Sequence, residues 1–175
     1  MNKITISTEV IVYTYEELPP RYKELIDAAK AQTANAYAPY SQFKVGAAAL
    51  LSNNEIICGS NQENAAYPSG TCAERTTLFY ANARYPQSSV CALAVAAYQS
   101  GDFLEEPISP CGACRQVILE SEERFGSPID ILLYGKRNIY LIKGARALLP
   151  FCFVGETMGY TIQTEKNTAY GKNTV

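Results

Sequence analysis

Three cysteines in two short segments constrain this chain more than any other feature. Cys72 stands in Cys-Ala-Glu, whereas Cys111 and Cys114 stand in Pro-Cys-Gly-Ala-Cys. The sequence contains no histidine that could compete with them as a ligand. Three thiolates can hold one zinc ion and leave its fourth position open, which is the arrangement of a catalytic rather than a structural site. The sequence therefore predicts one zinc site with an open position.

The two segments are expected at the starts of two helices. Cys111 and Cys114 are three positions apart, so on a helix their Cβ atoms lie about 5–6 Å apart on one face. Cys72 would open the other helix, and the positive end of each helix dipole favours thiolate. The three sulfurs can meet if both helices begin at the same edge of a sheet. Glu74, beside the ligands but not one of them, is then placed to transfer protons.

Each part of this pattern, taken alone, has another interpretation. Cys-x-x-Cys alone is compatible with a metal site, a redox motif or two core residues, and a glutamate in a first helical turn commonly serves the helix dipole. A closed structural zinc site would need a fourth thiol from Cys58, Cys91 or Cys152, two of which fall in predicted strands. Only the combination of the two segments favours the open site.

Two arginines follow the predicted ligands directly. Three thiolates and one Zn²⁺ carry a net charge of about −1, which weakens the ability of the metal to acidify water. A guanidinium that donates to the sulfurs would restore this ability. Arg75 and Arg115 are the candidates, and the alternative for each is a surface ion pair.

Composition excludes several classes of protein. The net charge is −2, the isoelectric point is near 5.3, and no run of basic residues is present, which argues against a nucleic-acid partner. No signal peptide is recognisable, and no stretch approaches the ~18 apolar residues of a membrane span. We therefore expect a soluble, cytoplasmic protein whose six cysteines are ligands and core residues rather than disulfides.

The order of apolar segments predicts one α/β domain. We expect a three-layer α-β-α fold with a mixed five-stranded sheet. Its predicted strands are 43–51, 55–58, 90–98, 129–134 and 139–142, and its predicted helices are 20–39, 72–84, 112–124 and 145–149. The expected division is an N-terminal extension at 1–17 that is either an added strand or an arm, the domain itself at 18–156, and a polar tail at 157–175.

At the level of motifs the chain resembles the small, tetrameric cytidine deaminases. Ala-Tyr-Ala-Pro-Tyr-Ser-Gln-Phe-Lys-Val-Gly-Ala-Ala at 36–48 is similar to their first motif, and Asn-Gln-Glu-Asn-Ala-Ala-Tyr-Pro at 61–68 to their nucleoside-binding segment. Cys-Ala-Glu-Arg-Thr and Pro-Cys-Gly-Ala-Cys-Arg-Gln-Val match their zinc motifs, and Leu-Leu-Pro-Phe-Cys-Phe at 148–153 resembles their C-terminal segment. The likeness extends over about 20–155 with the motifs in the family's order.

The resemblance implies a reaction and a cofactor. Water would replace the 4-amino group of cytidine or deoxycytidine, with one zinc ion per subunit and Glu74 moving the protons. Pyrimidine salvage is the implied role. The implied substrate contacts are Phe43 against the pyrimidine ring, Asn61 and Glu63 at the ribose hydroxyls, and Ala73; Tyr67 and Phe153 would reach the site of a neighbouring subunit in a homotetramer. Arg75 and Gln116 would stabilise the zinc ligands without binding the metal themselves.

Three other functions remain open at this point. Blasticidin-type deaminases share the zinc motifs, but the pair of Asn61 and Glu63 suits a ribose diol. Polynucleotide-editing deaminases typically use a histidine ligand and need a basic surface. A structural zinc or interaction module would bind the metal without turning over any nucleoside. Sequence alone does not rank cytidine against deoxycytidine or assign roles to residues 1–17 and the loop at 99–109.

Overall fold

The structure, a computed structural model that describes residues 1–160, is a seven-stranded mixed sheet between two layers of helices. Its helices and strands, in chain order, are β1 Ile11–Tyr13, α1 Pro20–Gln32, β2 Lys44–Leu51, β3 Ile56–Ser60, α2 Ala73–Arg84, β4 Val90–Gln99, β5 Asp102–Phe103, α3 Gly112–Phe125, β6 Asp130–Tyr134 and β7 Ile139–Lys143. The strand order is β1-β7-β6-β4-β2-β3, with β5 paired to β4. Only β4 and β6 run parallel.

Alternation along β4 divides the core between the two faces of the sheet. Ala92, Ala94 and Ala96 face one core with Leu25 and Ile26 of α1. The intervening β4 residues face the second core, together with α2 and α3. Strands covered on both faces are apolar throughout. The apolar residues of β4 therefore follow from helices on both faces of the sheet, and the predicted three-layer architecture is confirmed.

Close contact between α1 and the sheet depends on Gly46 in β2. A Cβ at this position would lie 2.1 Å from the carbonyl oxygen of Ala29. Any side chain there would push α1 away from the sheet, because backbone atoms cannot yield as a flexible side chain does. The small residue therefore sets the distance between these two layers.

The predicted count of five strands is two too low. Both additions are short, because β1 has three residues and β5 only two. β1 pairs with β7 at the sheet edge and belongs to the segment predicted as a strand or an arm. β5 lies in the segment predicted as a loop, since two residues carry no detectable periodicity. The predicted helix at 145–149 is a single 3₁₀ turn at Ala145–Ala147, and α1 ends at Gln32, well before the predicted limit.

The predicted domain boundaries stay predictions. Of the predicted tail, residues 161–175 lie outside the described part of the chain. Within residues 1–160 there is no helix with the length and apolarity that crossing a membrane would need.

Strand register brings the ends of three strands to one edge of the sheet. Gly46 near the start of β2 pairs with Ser60 at the end of β3, and Lys44 pairs with Tyr98 near the end of β4. The chain leaves β3 toward α2 and leaves β4 toward α3 from this edge. Both helices therefore begin at the same edge of the sheet, which is the condition that the sequence set for the three sulfurs to meet.

Glu122 connects α3 to the chain segments that follow it. The residue is 8% exposed, and its Oε1 accepts hydrogen bonds from the backbone N–H groups of Ile129 (2.7 Å) and Ala145 (2.8 Å). Buried N–H groups without an acceptor each cost about 1–3 kcal/mol.

We expect Glu122→Ala to lower the free energy of unfolding by about 2–6 kcal/mol, measured by chemical denaturation. The exposed Glu120→Ala on the same helix is the control, and an equal effect of both variants would refute this role.

Candidate metal centre and active site

The two zinc-site helices each begin directly after a cysteine. Cys72 and Cys111 are the N-cap residues of α2 and α3, both in extended conformation, and neither side chain caps its helix. Their sulfurs are therefore available to each other. Cys114 lies one turn inside α3 and is completely buried, whereas Cys111 is exposed.

The three sulfurs lie at the separations that one tetrahedral ion requires. Cys72 Sγ is 3.9 Å from Cys111 Sγ, Cys111 Sγ is 3.5 Å from Cys114 Sγ, and all three lie within 4.8 Å of one another. Sulfurs that are each about 2.3 Å from a tetrahedral zinc are about 3.8 Å apart. The donor set therefore fits a single zinc ion per chain.

Within residues 1–160 this is the one cluster of three or more potential metal ligands, and it contains three cysteines and no fourth residue. The spare thiols of Cys58, Cys91 and Cys152 lie outside it. A closed four-cysteine site is therefore not formed, and three thiolates would leave one coordination position of a bound zinc ion for water.

Electrostatics favours the thiolate form at Cys72, whereas the hydrogen bond with Cys72 and burial raise the pKa of the Cys114 thiol. Hydrogen bonding from Cys114, with further contributions from Arg75 and Cys111, lowers the pKa of the Cys72 thiol to about 5. Arg75 Nη2 lies 3.8 Å from Cys72 Sγ. A guanidinium at this distance offsets part of the negative charge of the thiolates.

Arg115 makes different contacts. Its Nε donates to the carbonyl oxygen of Pro110 and its Nη1 to that of Leu148, both at 2.8 Å. One acceptor residue directly precedes Cys111, and the other lies in the segment that follows β7. The sequence left open whether Arg115 contacts the site. Its hydrogen bond to Pro110 places it next to the loop that carries Cys111.

Glu74 is a buried carboxyl group directly next to a cluster cysteine. It is 4% exposed, and burial raises its pKa, an effect to which the negative charge of Cys72 adds. A raised pKa means that a carboxyl group holds a proton more readily than an exposed one, which suits a group that must both accept and donate protons. Glu74 therefore has the environment of a proton-transfer residue.

A cavity of about 410 Å³ adjoins the cluster. This volume lies within the range of small-molecule binding sites. Its lining residues come from the loop before β2, from the loop between β3 and α2, and from the first turn of α2: Tyr40, Ser41, Asn61, Gln62, Glu63, Asn64, Tyr67, Gly70, Thr71, Cys72 and Arg75. The cavity therefore extends from the metal cluster to the polar residues predicted to bind a ribose.

Asn61 is held at the start of β2 by both ends of its amide. Oδ1 accepts from the backbone N–H of Val45 at 2.8 Å, and Nδ2 donates to the carbonyl oxygen of Phe43 at 2.9 Å. These two bonds take the place of the hydrogen bonds that a neighbouring strand would make with this part of the chain. An amide NH₂ has two N–H groups, so one remains for a ligand.

Phe43 is half-buried and packs against the core on the α2 and α3 side.

Glu63 is oriented by a turn that the sequence did not single out. Its Oε2 accepts from the backbone N–H groups of Tyr40 (2.9 Å) and Ser41 (3.2 Å). Hydrogen bonds from Ser41 and Tyr40 lower the pKa of the Glu63 carboxyl. The group is therefore ionised at neutral pH, and in the described part of the chain Oε1 has no hydrogen-bond donor. Both turn residues lie in the 36–48 motif, but nothing in the motif marks their N–H groups as important.

The remaining predicted residues lie around the site. Tyr67 is 77% exposed and packs edge-to-face on Tyr40, with 6.3 Å between ring centroids, and Phe153 is 53% exposed. Ala73, the first residue of α2, is fully buried. Gln116 Nε2 donates to the carbonyl oxygen of Phe153 at 2.8 Å, so the hydrogen bond it makes is with the C-terminal segment.

Comparison with known proteins identifies the family. Residues 20–125 match the family model described as "Cytidine and deoxycytidylate deaminase zinc-binding region". A cytidine deaminase of Sporosarcina psychrophila is 39% identical over 149 residues, which cover 81% of this chain and 97% of that protein. One of Halalkalibacterium halodurans is 46% identical over 96 residues, 55% of this chain and 68% of that protein.

Solved structures agree with this comparison. A crystal structure of cytidine deaminase from Burkholderia pseudomallei is 41% identical, has a TM-score of 0.63, and covers 74% of this chain and 97% of that one. The enzyme of Mycobacterium tuberculosis is 33% identical with a TM-score of 0.59, covering 76% and 97% respectively. The family match, the similarity to these relatives and the three-cysteine cluster agree with one another, and the chain belongs to the zinc-dependent cytidine and deoxycytidylate deaminase family.

Proposed function

We propose that this protein catalyses the hydrolytic deamination of cytidine and deoxycytidine to uridine and deoxyuridine, in pyrimidine salvage in the cytoplasm. The single observation that carries the proposal is one cavity that is lined both by Cys72 of the three-cysteine cluster and by Glu63, whose carboxylate is oriented by the turn at Tyr40. The two ends of this cavity match the two ends of a nucleoside, because one supplies hydrolytic chemistry and the other binds hydroxyl groups.

The proposed mechanism assigns the proton transfers to one residue. Cys72, Cys111 and Cys114 would hold the zinc ion, which supplies Lewis acidity that makes water reactive near neutral pH. Glu74 would take one proton from the attacking water and deliver it to ring N3. It would then take a second proton from the hydroxyl group formed on C4 and deliver it to the departing amine, which leaves as ammonia when the C4–N bond breaks. Burial suits these transfers, since a poorly hydrated carboxyl group exchanges protons with a nearby partner rather than with solvent.

At the other end of the cavity we assign ribose binding to Asn61 and Glu63. The free oxygen of Glu63 can accept a hydrogen bond from a ribose hydroxyl, and the remaining N–H of Asn61 can donate one. Phe43 is assigned to the face of the pyrimidine ring, and Ala73 to the pocket floor where α2 begins. Arg75 is assigned to charge compensation at the thiolates.

The cavity favours a nucleoside over the nucleotide deoxycytidylate. A phosphate monoester carries about −1.5 to −2 charges at neutral pH and is normally bound by cationic side chains. The lining residues include one carboxylate, Glu63, and one cation, Arg75, which donates to Cys72. A phosphate bound here would meet repulsion without a free cation to compensate it.

We also propose that the active enzyme is a homotetramer with shared sites. The large, exposed rings of Tyr67 and Phe153 support this assignment, because aromatic side chains are enriched in the buried cores of interfaces. Closed symmetry would then bring the Phe153 ring of one subunit to the cavity of another.

Absorbance assays of cytidine, deoxycytidine, deoxycytidylate and blasticidin S, with a chelator control, test the proposed substrate. We expect both nucleosides to be converted in a metal-dependent reaction. Preference for deoxycytidylate or blasticidin S would contradict the substrate proposal, and zinc binding without turnover would support a structural module instead.

The role of Glu74 is tested by Glu74→Gln. The variant keeps the shape of the side chain but cannot move protons, and each such transfer contributes about 10²–10⁴-fold. We expect kcat to fall by several orders of magnitude, while zinc content and the unfolding temperature remain close to wild type. Loss of zinc with near-normal turnover per bound ion would refute the assignment.

The role of Glu63 is tested by Glu63→Ala against the exposed control Glu55→Ala. Loss of a hydrogen bond to a charged group costs about 1.5–3 kcal/mol, or about 10- to 100-fold. We expect KM for cytidine to rise by this factor with a smaller change in kcat. Glu63→Gln retains an acceptor for the turn N–H groups, so it separates turn stability from substrate binding. A wild type that converted free cytosine as well as cytidine would contradict ribose recognition.

Subunit mixing tests the shared site. Phe153→Ala should be nearly inactive if its ring completes a neighbouring cavity, and Glu74→Gln should be inactive for a separate reason. Exchange of subunits between the two variants should restore part of the activity, since some sites combine an intact Glu74 with an intact Phe153. A fully active monomer in size-exclusion chromatography would contradict the proposal.

A further inference from the structure

A C-terminal strap, defined here as residues 144–153, runs along α3 after β7. Near the end of α3, Glu122 Oε1 accepts from the backbone N–H of Ala145 at 2.8 Å, and Glu123 pairs with Arg146 at 2.9 Å. These contacts fasten the start of the strap to the half of the helix that is distant from the metal cluster.

The end of the strap is fastened to the opposite half of the same helix. Arg115 donates to the carbonyl oxygen of Leu148, and Gln116 donates to that of Phe153, both at 2.8 Å. These two donors directly follow the cluster residue Cys114. The strap therefore runs antiparallel to α3 and delivers Phe153 to its metal-binding end.

One side chain joins the strap to the loop that carries a zinc ligand. The guanidinium of Arg115 donates simultaneously to Leu148 of the strap and to Pro110, the residue before Cys111. A guanidinium is planar and presents its donors in a fixed fork. A movement of the loop that breaks or bends one hydrogen bond therefore disturbs the other.

We propose that Arg115 is a positioning residue that couples metal binding to the placement of the strap. A metal ion fixes Cys111 and the adjacent Pro110, Arg115 transmits this position to Leu148, and the strap then presents the Phe153 ring at a constant place. Coupling between two sites is reciprocal, so a strap released from Arg115 also loosens the metal loop. The proposal depends on the three-cysteine zinc site and not on the reaction or on the assembly of subunits.

Hydrogen exchange and metal release on the zinc-loaded full chain test the coupling. The amides of Ala147, Leu148 and Leu149 are hydrogen-bonded within the strap and can report its opening. We expect Arg115→Ala to accelerate their exchange by about 10- to 100-fold, since each lost bond involves a charged donor. Transfer of zinc to a chromogenic chelator should accelerate in the same variant.

Arg124→Ala is the matched control. Arg124 lies on the same helix and also donates to a main-chain carbonyl, that of Pro86, at 2.9 Å, but within residues 1–160 it makes no hydrogen bond or ion pair with the strap or the metal loop. We expect wild-type strap exchange and zinc release from it. Equal effects of the two variants would show that Arg115 only stabilises the helix and would overturn the proposal.

Two further variants keep the test decisive. Gln116→Ala breaks a strap contact but none with Pro110, so zinc release should stay at the wild-type rate. Arg115→Lys retains the charge but cannot bridge both carbonyl groups in a fixed fork, so it should resemble Arg115→Ala and serves in its place if the alanine variant does not fold. Fast exchange with unchanged zinc release in Arg115→Lys would overturn the coupling, whether or not the protein deaminates cytidine.

Discussion

The convergence of three cysteine sulfurs at the N-termini of two helices is the interaction on which the rest of the site depends. Sheet register puts the starts of α2 and α3 at one edge, and the N-cap positions of Cys72 and Cys111 then bring their sulfurs to 3.9 Å. Helix dipoles and Arg75 stabilise the negative charge that accumulates there. The same geometry places Glu74 two residues after Cys72, where its carboxyl group is buried beside the cysteine cluster.

Several polar side chains of the site have a structural task as well as an assigned chemical one. Asn61 replaces a strand neighbour for β2 with one part of its amide, and Glu63 holds the turn at Tyr40 and Ser41 with one of its oxygens. Each retains a further donor or acceptor for a ligand. Such double use fixes the free group in space before a substrate arrives, which lowers the entropy lost on binding.

The motifs predicted the three cysteines of the metal cluster, with Glu74 beside them, because metal chemistry constrains residue type and spacing very strongly. Long apolar runs likewise predicted the five main strands, whereas the two-residue β5 carried no periodic signal. The strap was harder to foresee, since Arg115 and Gln116 make their bonds to main-chain carbonyl groups more than thirty residues away. No pattern in the sequence marks a carbonyl acceptor, and the roles of these two residues emerge only from the fold.

The central claim is that three cysteines bind one zinc ion and leave its fourth position open for chemistry. Zinc K-edge X-ray absorption of the purified protein measures this coordination directly. The account predicts one zinc per chain with three sulfur neighbours at about 2.3 Å and one oxygen neighbour at about 2.0 Å. Four sulfur neighbours, or a chain that retains full deaminase activity without zinc, would contradict it.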